Sequence, residues 1–111
     1  GLDAKISREE VFGPVAAIYS YDAIEDAIKI ANDVPWAFQA AVFTQNLKTA
    51  EIASNQLNAA TILLNEHTAF RADWMPFAGL GASGYDVGGI PYTFHSMTHE
   101  KMVIARNQAL T

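Results

Sequence analysis

Apolar runs and amphipathic runs alternate through the first two thirds of the chain, and this alternation limits the folds that it can adopt. Residues 15–21, 40–44 and 61–65 are short and largely apolar, which is typical of buried strands. The stretches between them carry apolar residues at helical spacing. Strands separated by helices predict parallel pairing through crossover connections. We therefore predict an α/β fold in three layers, with a mainly parallel sheet flanked by helices.

Local signals mark where both helices begin. Asp22, three residues before Glu25, predicts a capping-box start for a first helix that runs to about Asn32. Pro35 follows, and proline cannot continue a helix. Asn46 is predicted as the N-cap of the second helix. The apolar face of that second helix is predicted to comprise Leu47, Ala50, Ala53 and Leu57.

The glycine-rich region near residue 80 contains a misleading motif. Residues 79–84 match the dinucleotide-binding pattern Gly-x-Gly-x-x-Gly, which carries chemistry only between a strand and a helix. Residues 85–91 do not look like a helix start. We therefore predict a structural loop with positive-φ turns that lies close to other backbone. Beyond it, residues 101–105 are predicted to form a terminal strand with an open edge.

Composition excludes several classes of function. The 111 residues fit one domain, and half of them are hydrophobic. A net charge of -5 without clusters of basic residues argues against nucleic acid or an anionic membrane as partner, and no apolar run is long enough for a membrane span. There is no cysteine, hence no disulfide and no thiol nucleophile. We expect a soluble cytoplasmic protein.

Glu10 and Phe12 are the first candidates for a binding site. They precede Gly13 and Pro14, which mark the boundary between a loop and the first predicted strand. In an extended segment, residues two apart point the same way, so a hydrogen-bond acceptor would lie beside a flat apolar ring. Such a pair suits a ligand with hydroxyls and a ring. The alternative is an exposed loop carboxylate beside a phenylalanine of the core.

The histidines do not assemble into a metal site. His95 and His99 are four residues apart and would share a face of a helix, but no third ligand is evident. His67 follows Glu66 in a loop, and no serine stands in a nucleophile-elbow context. We therefore predict neither a metal site nor a catalytic triad.

Several separate motifs in order resemble the C-terminal part of the catalytic domain of an aldehyde dehydrogenase. They cover almost the whole chain but only the C-terminal part of a family member. The motifs are Glu-Glu-Val-Phe-Gly-Pro-Val at 9–15, the helical run at 27–32, Gln-Ala-Ala-Val-Phe-Thr at 39–44, Asn65, Met-Pro-Phe at 75–77, Ser-Gly at 83–84 and Met-Thr-His-Glu-Lys at 97–101.

The resemblance implies roles for three residues. It implies that Glu10 binds the nicotinamide-ribose hydroxyls of NAD or NADP, that Phe12 lies against the nicotinamide, and that Phe77 contributes to the substrate pocket. Residues 67–73 would border the entrance of that pocket. The family's catalytic cysteine and Rossmann domain match no part of this sequence, so no catalytic residue is assigned here.

Departures from the family pattern are concentrated at glycines. Ala37, Ala78 and Asp86 stand where the family usually has glycine, Gly81 where it has lysine and Gly88 where it has glutamate. If the three replaced glycines need positive φ, each replacement costs about 1 kcal/mol. Trp74 and residues 89–92 resemble branches that act on small hydroxylated or phosphorylated aldehydes, such as lactaldehyde dehydrogenases.

Three functional hypotheses follow from the resemblance. The first is a C-terminal fragment, a single domain over 1–111, that is inactive alone. The second is a complementing subunit whose partner supplies the missing N-terminal part of an aldehyde dehydrogenase. The third is a homo-oligomeric interaction module without catalysis. In each of them, residues 97–111 would form a terminal strand and oligomerisation segment.

Overall fold

The computed structural model describes residues 1–106 of the chain. Within this part, helices and short strands alternate as the sequence predicts, and the α/β class is confirmed. A 3₁₀ turn at Lys5–Ser7 precedes them. The elements are α1 (Ile24–Asn32), β1 (Trp36–Ala37), β2 (Gln39–Val42), α2 (Leu47–Gln56), β3 (Thr61–Leu64), β4 (Phe77–Ala78), β5 (Leu80–Gly81), β6 (Val87–Gly88) and α3 (Ile90–Ser96).

The centre of the fold is the unit formed by β2, α2 and β3. The two strands pair in parallel, with Gln39 opposite Thr61 and Val42 opposite Leu64. Parallel neighbours need a crossover connection, and α2 provides it. The predicted parallel pairing of these two strands is therefore confirmed.

The helices begin as local chemistry dictates, with one exception. The Asn46 side chain accepts a hydrogen bond from the Thr49 amide at 3.1 Å, which confirms the predicted N-cap of α2. The N-cap of α1 is Ala23, without a side-chain bond, so the predicted capping role of Asp22 is wrong by one position. Asn32, at the end of α1, donates to the Gln56 carbonyl and accepts from the Asn58 amide, both at 2.8 Å. These two bonds fasten α1 to the end of α2.

The buried core is small. Among the described residues only four hydrophobic side chains are buried, one each from α1, β1, α2 and β3: Ile28, Ala37, Ala53 and Leu63. Leu47, predicted on the apolar face of α2, is the first residue of that helix and is 84% exposed, so its predicted place on the packed face is wrong.

Two predicted strands belong to none of the sheets. Residues 15–21 and 101–105 form no strand. Their side chains are largely exposed: Ile18 is 92% exposed and Ile104 is 86% exposed. A strand is defined by the neighbour to which it hydrogen-bonds. No other segment of residues 1–106 pairs with either stretch.

The remaining strands form two short antiparallel pairs. Trp36 of β1 lies opposite Gly81 of β5, and Phe77 of β4 lies opposite Gly88 of β6. The helix α3 then begins after Gly89, with Pro91 in its first turn, although the sequence predicted no helix start at residues 85–91. Proline fits that turn because its missing amide has no partner there. Among residues 1–106 the helices are too short, or not apolar enough, to cross a membrane.

Candidate functional site

A cleft of about 600 Å³ lies between the N-terminal segment and the short antiparallel strands. One wall consists of residues 6–10, which include Glu10. The other wall carries Phe77 of β4 together with aromatic residues of and after β1. Two of the three residues that the resemblance singled out therefore line the same cavity. The lining of the second wall is Trp36, Phe38, Phe77, Ala82 and Ser83.

The aromatic wall is held together by ring contacts. The rings of Phe38 and Phe77 meet edge to face, with centroids 5.0 Å apart and planes at 85°. The guanidinium carbon of Arg71 lies 4.2 Å from the centroid of the Phe77 ring, in cation–π geometry. Phe77 thus has an apolar neighbour and a positively charged neighbour.

Phe12 lies outside this cleft. Its side chain is 94% exposed, so the alternative of a core phenylalanine is wrong. The Gly13 amide donates to the Val11 carbonyl at 2.9 Å, and the Val15 amide donates to the Gly13 carbonyl at 2.8 Å. These bonds close two successive γ-turns. Because the segment turns there, the alternation expected of an extended chain does not place Phe12 beside Glu10 in the cleft.

The glycine-rich loop supports the aromatic wall. The Ser83 hydroxyl accepts a hydrogen bond from the buried Ala37 amide at 2.9 Å, and the Ala82 amide donates to the Pro35 carbonyl at 3.2 Å. Gly81 has φ 56°, and a Cβ added at Gly79 would lie 2.3 Å from the Ser83 carbonyl oxygen. The predicted positive φ and the close approach to other backbone are therefore confirmed, although residues 80–81 of this stretch form strand β5 and not a loop.

The loop after β3 contributes to a neighbouring cleft of about 420 Å³. Arg71 and Asp73 line it together with Gly89 and residues of α3. Arg71 also contacts Phe77, so part of the loop predicted to border the substrate pocket does adjoin its aromatic wall. His95 lies in α3, whereas His99 follows its end, so the two histidines do not share a helix face.

The sequence reasoning missed the residues around Glu10 and Phe77. Trp36 and Phe38 lie on either side of the buried Ala37. Residues two apart in a strand share a face, so this spacing could have predicted that both aromatic side chains line one wall. Arg8 and Arg71 had no local signal, since each contacts a residue that is distant in the sequence or lies in another element.

Comparison with known protein families matches residues 2–103 to the aldehyde dehydrogenase family. The 3-sulfolactaldehyde dehydrogenase of Priestia megaterium is 36% identical over 102 residues, which are 92% of this chain and 21% of that protein. A lactaldehyde dehydrogenase of Methanococcus maripaludis is 37% identical over 105 residues, 95% of this chain and 23% of that protein. The chain thus spans about a fifth of the length of the curated relatives that it matches.

Solved structures give the same result. Aldehyde dehydrogenase 21 from Physcomitrella patens, in complex with the reaction product succinate, matches with a TM-score of 0.87 at 31% identity, over 100% of this chain and 23% of that chain. A mutant of the P. syringae indole-3-acetaldehyde dehydrogenase, in complex with NAD+ and IAA, matches with a TM-score of 0.79 at 34% identity, over 85% of this chain and 19% of that chain.

Proposed function

Because this chain belongs to the aldehyde dehydrogenase family, we propose that it is the C-terminal part of the catalytic domain of a cytoplasmic NAD(P)-dependent enzyme that oxidises aldehydes to carboxylic acids. The observation that carries the proposal is the cleft that Glu10 and Phe77 line together. One carries the carboxylate assigned to the cofactor, and the other carries the ring assigned to the substrate.

The chemistry of the cleft fits a nicotinamide cofactor. The carboxylate of Glu10 can accept hydrogen bonds from the two hydroxyls of a ribose. Outside the cleft, the exposed ring of Phe12 offers a flat face against which a nicotinamide can lie. A bound NAD(P) would accept a hydride from the aldehyde carbon. This chain's own contribution is to hold and orient the cofactor.

The substrate side of the proposal rests on Phe77 and Arg71. The relatives include dehydrogenases for lactaldehyde, 3-sulfolactaldehyde and sulfoacetaldehyde, which are small aldehydes with a hydroxyl or a sulfonate. In this chain the guanidinium of Arg71 places a positive charge over the Phe77 ring. A small aldehyde with a polar or anionic substituent is therefore the substrate class that we propose.

Catalysis in this proposal needs a second part. The 111 residues contain no cysteine, so this chain offers no thiol for covalent catalysis. We assign the thiol and the remainder of the cofactor site to an upstream aldehyde dehydrogenase part, and we expect the chain to be inactive alone. Residues 15–21 and the terminal segment, at 97–111, would pair with that part; residues 107–111 lie outside the described residues. A homo-oligomeric module without catalysis is the competing arrangement.

A complementation assay tests the proposal. Formation of NAD(P)H would be followed with lactaldehyde and 3-sulfolactaldehyde. The samples are the purified chain, a Methanococcus maripaludis lactaldehyde dehydrogenase truncated before the region that matches this chain, and their mixture. We expect turnover only in the mixture. Turnover by the chain alone would contradict its inactivity, and a complex without turnover would favour the interaction module.

Matched variants locate the cofactor function within the assembled enzyme. Glu10→Gln removes the negative charge but keeps the shape of the side chain. We expect it to raise the KM for NAD(P) about tenfold to a hundredfold, since a hydrogen bond to a charged group contributes about 1.5–3 kcal/mol. Glu51→Gln makes the same chemical change on the exposed side of α2 and should leave the KM unchanged. An equal effect of both variants would contradict the assignment of Glu10.

A further inference from the structure

One side chain makes the polar contacts between the segment that carries Glu10 and the rest of the described structure. Among residues 1–106, all hydrogen bonds and ion pairs between residues 1–21 and residues 22–106 are made by Arg8 with Asp33. Arg8 Nη1 donates to the Asp33 carbonyl at 2.7 Å and lies 2.9 Å from Asp33 Oδ2. Arg8 Nε donates to the Leu2 carbonyl at 3.2 Å. The guanidinium therefore holds the N-terminal segment on one side and the end of α1 on the other.

Arg8 lines the cleft, and its partner Asp33 lies just before the second wall in the sequence. Residues 6–10 form one wall, and the second wall begins at Trp36, three residues after Asp33. The contact between Arg8 and Asp33 is therefore the polar link, among residues 1–106, between the wall that carries Glu10 and the chain that leads into the aromatic wall. Covalent continuity alone leaves the distance between the two walls free, because more than twenty residues separate Glu10 from Trp36.

The N-terminal segment has hydrogen bonds of its own around Arg8. The Ser7 hydroxyl donates to the Gly1 carbonyl at 3.1 Å and shares a hydrogen bond with the Tyr19 hydroxyl. The amides of Arg8 and Glu9 both donate to the Lys5 carbonyl, at 2.9 and 2.7 Å. These bonds connect Arg8 to the residues that immediately precede Glu10.

We infer that Arg8 is a positioning residue, which sets the location of Glu10 across the cleft through its contacts with Asp33. Its effect on the cofactor rests on the role proposed above for Glu10. The planar guanidinium reaches acceptors in two directions, whereas a lysine ammonium is a single point charge, so the two residues are not equivalent here. The side chains of Arg8 and Asp33 are 44% and 68% exposed, which limits the strength of their ion pair.

A distance measurement tests the positioning role without any cofactor. The chain has no cysteine, so spin labels can be attached only where cysteines are introduced, at Glu9→Cys and Ala82→Cys on opposite walls. Pulsed electron paramagnetic resonance should give a narrow distance distribution in the parent chain. We expect Arg8→Ala to broaden it, Arg8→Lys to restore it in part, and Lys48→Ala, on α2, to leave it unchanged. An equally narrow distribution in Arg8→Ala would overturn the inference.

Kinetics of the complemented enzyme test the consequence. We expect Arg8→Ala to raise the KM for NAD(P) about threefold to tenfold, the range of a partly exposed charged hydrogen bond, with kcat within twofold. Asp33→Asn, which keeps the backbone carbonyl, should have a smaller effect in the same direction. A lower kcat with an unchanged KM would overturn the inference.

The two proposals fail in distinguishable ways. If Glu10→Gln leaves the KM unchanged while Arg8→Ala broadens the distance distribution, the role of Glu10 is wrong and the positioning by Arg8 stands. If Glu10→Gln raises the KM while Arg8→Ala changes neither the distribution nor the KM, the role of Glu10 stands and the inference about Arg8 is wrong.

Discussion

At the scale of a single residue, Asn65 combines an unusual backbone conformation with a side-chain hydrogen bond to a distant segment. Its φ is 56°, and among residues 1–106 no other residue except glycine has a positive φ. Its Oδ1 accepts from the Thr44 amide and its own amide donates to the Val42 carbonyl, both at 2.8 Å. Asn65 therefore joins the chain after β2 to the chain after β3, at the carboxyl ends of the parallel pair.

We expect Asn65→Ala to lower the free energy of unfolding by about 2–3 kcal/mol. The left-handed conformation costs a residue such as alanine about 1–2 kcal/mol, and the lost side-chain bond about 1 kcal/mol. Asn65→Gly keeps the conformation and should lose only about 1 kcal/mol. Urea denaturation followed by circular dichroism measures both. A glycine variant less stable than the alanine variant would contradict this account.

Outside the glycine-rich region, the sequence did not reveal which positions have positive φ. Ala37, Ala78 and Asp86, which stand at usual glycines of the family, all have negative φ, so the expected cost of about 1 kcal/mol each does not arise. The family's glycines are therefore no guide to strain at these positions. The left-handed conformation of Asn65 was not predicted either, because it depends on the bond to Thr44, a residue 21 positions away.

At the scale of the elements, what the sequence predicted well was local. The N-cap at Asn46 was predictable because its hydrogen bond lies within one helical turn. The pairing of β2 with β3 was predictable because two apolar runs flank a single helix. Residues 15–21 and 101–105 have the same apolar character, but strand formation also needs a neighbour. The cleft was predicted only in part, because its lining comes from segments that are far apart in the sequence.

Gly79, in the turn between β4 and β5, and Gly13, in the N-terminal segment, offer a matched pair of glycine substitutions. A Cβ at Gly79 would lie 2.3 Å from the Ser83 carbonyl oxygen, whereas a Cβ at Gly13 would meet nothing within 4 Å. We expect Gly79→Ala to cost about 1–3 kcal/mol, as overpacking does, and Gly13→Ala to change stability by less than about 0.5 kcal/mol. Thermal unfolding of the two variants measures the difference. Equal stabilities would show that the turn relaxes freely around the added methyl group.

At the scale of the whole molecule, the chain is elongated. Its extents are 76 × 33 × 22 Å and its radius of gyration is 20.7 Å. A compact domain of this length has a radius of gyration of about 13 Å. The four buried hydrophobic residues are outnumbered by exposed ones, which include Phe12, Ile18 and Ile104. Such an exposed apolar surface favours association with another chain.

We expect the purified chain to self-associate when the upstream part is missing. Ile18→Lys and Ile104→Lys should shift the sedimentation coefficient toward that of the monomer, because each places a charge on an unpaired apolar stretch. Leu47→Lys, at an equally exposed position on α2, should not. Sedimentation velocity over a range of concentrations measures this. A wild-type chain that is monomeric throughout would contradict the expectation.

The two unpaired stretches also determine how assembly should respond to temperature. Their apolar side chains would leave water when a neighbouring strand binds, and burial of apolar surface gives a negative change in heat capacity. Hydrophobic stabilisation also weakens on cooling. The complex formed through residues 15–21 and 101–105 should therefore be cold-labile, and its subunits should separate more readily near 0 °C than at room temperature.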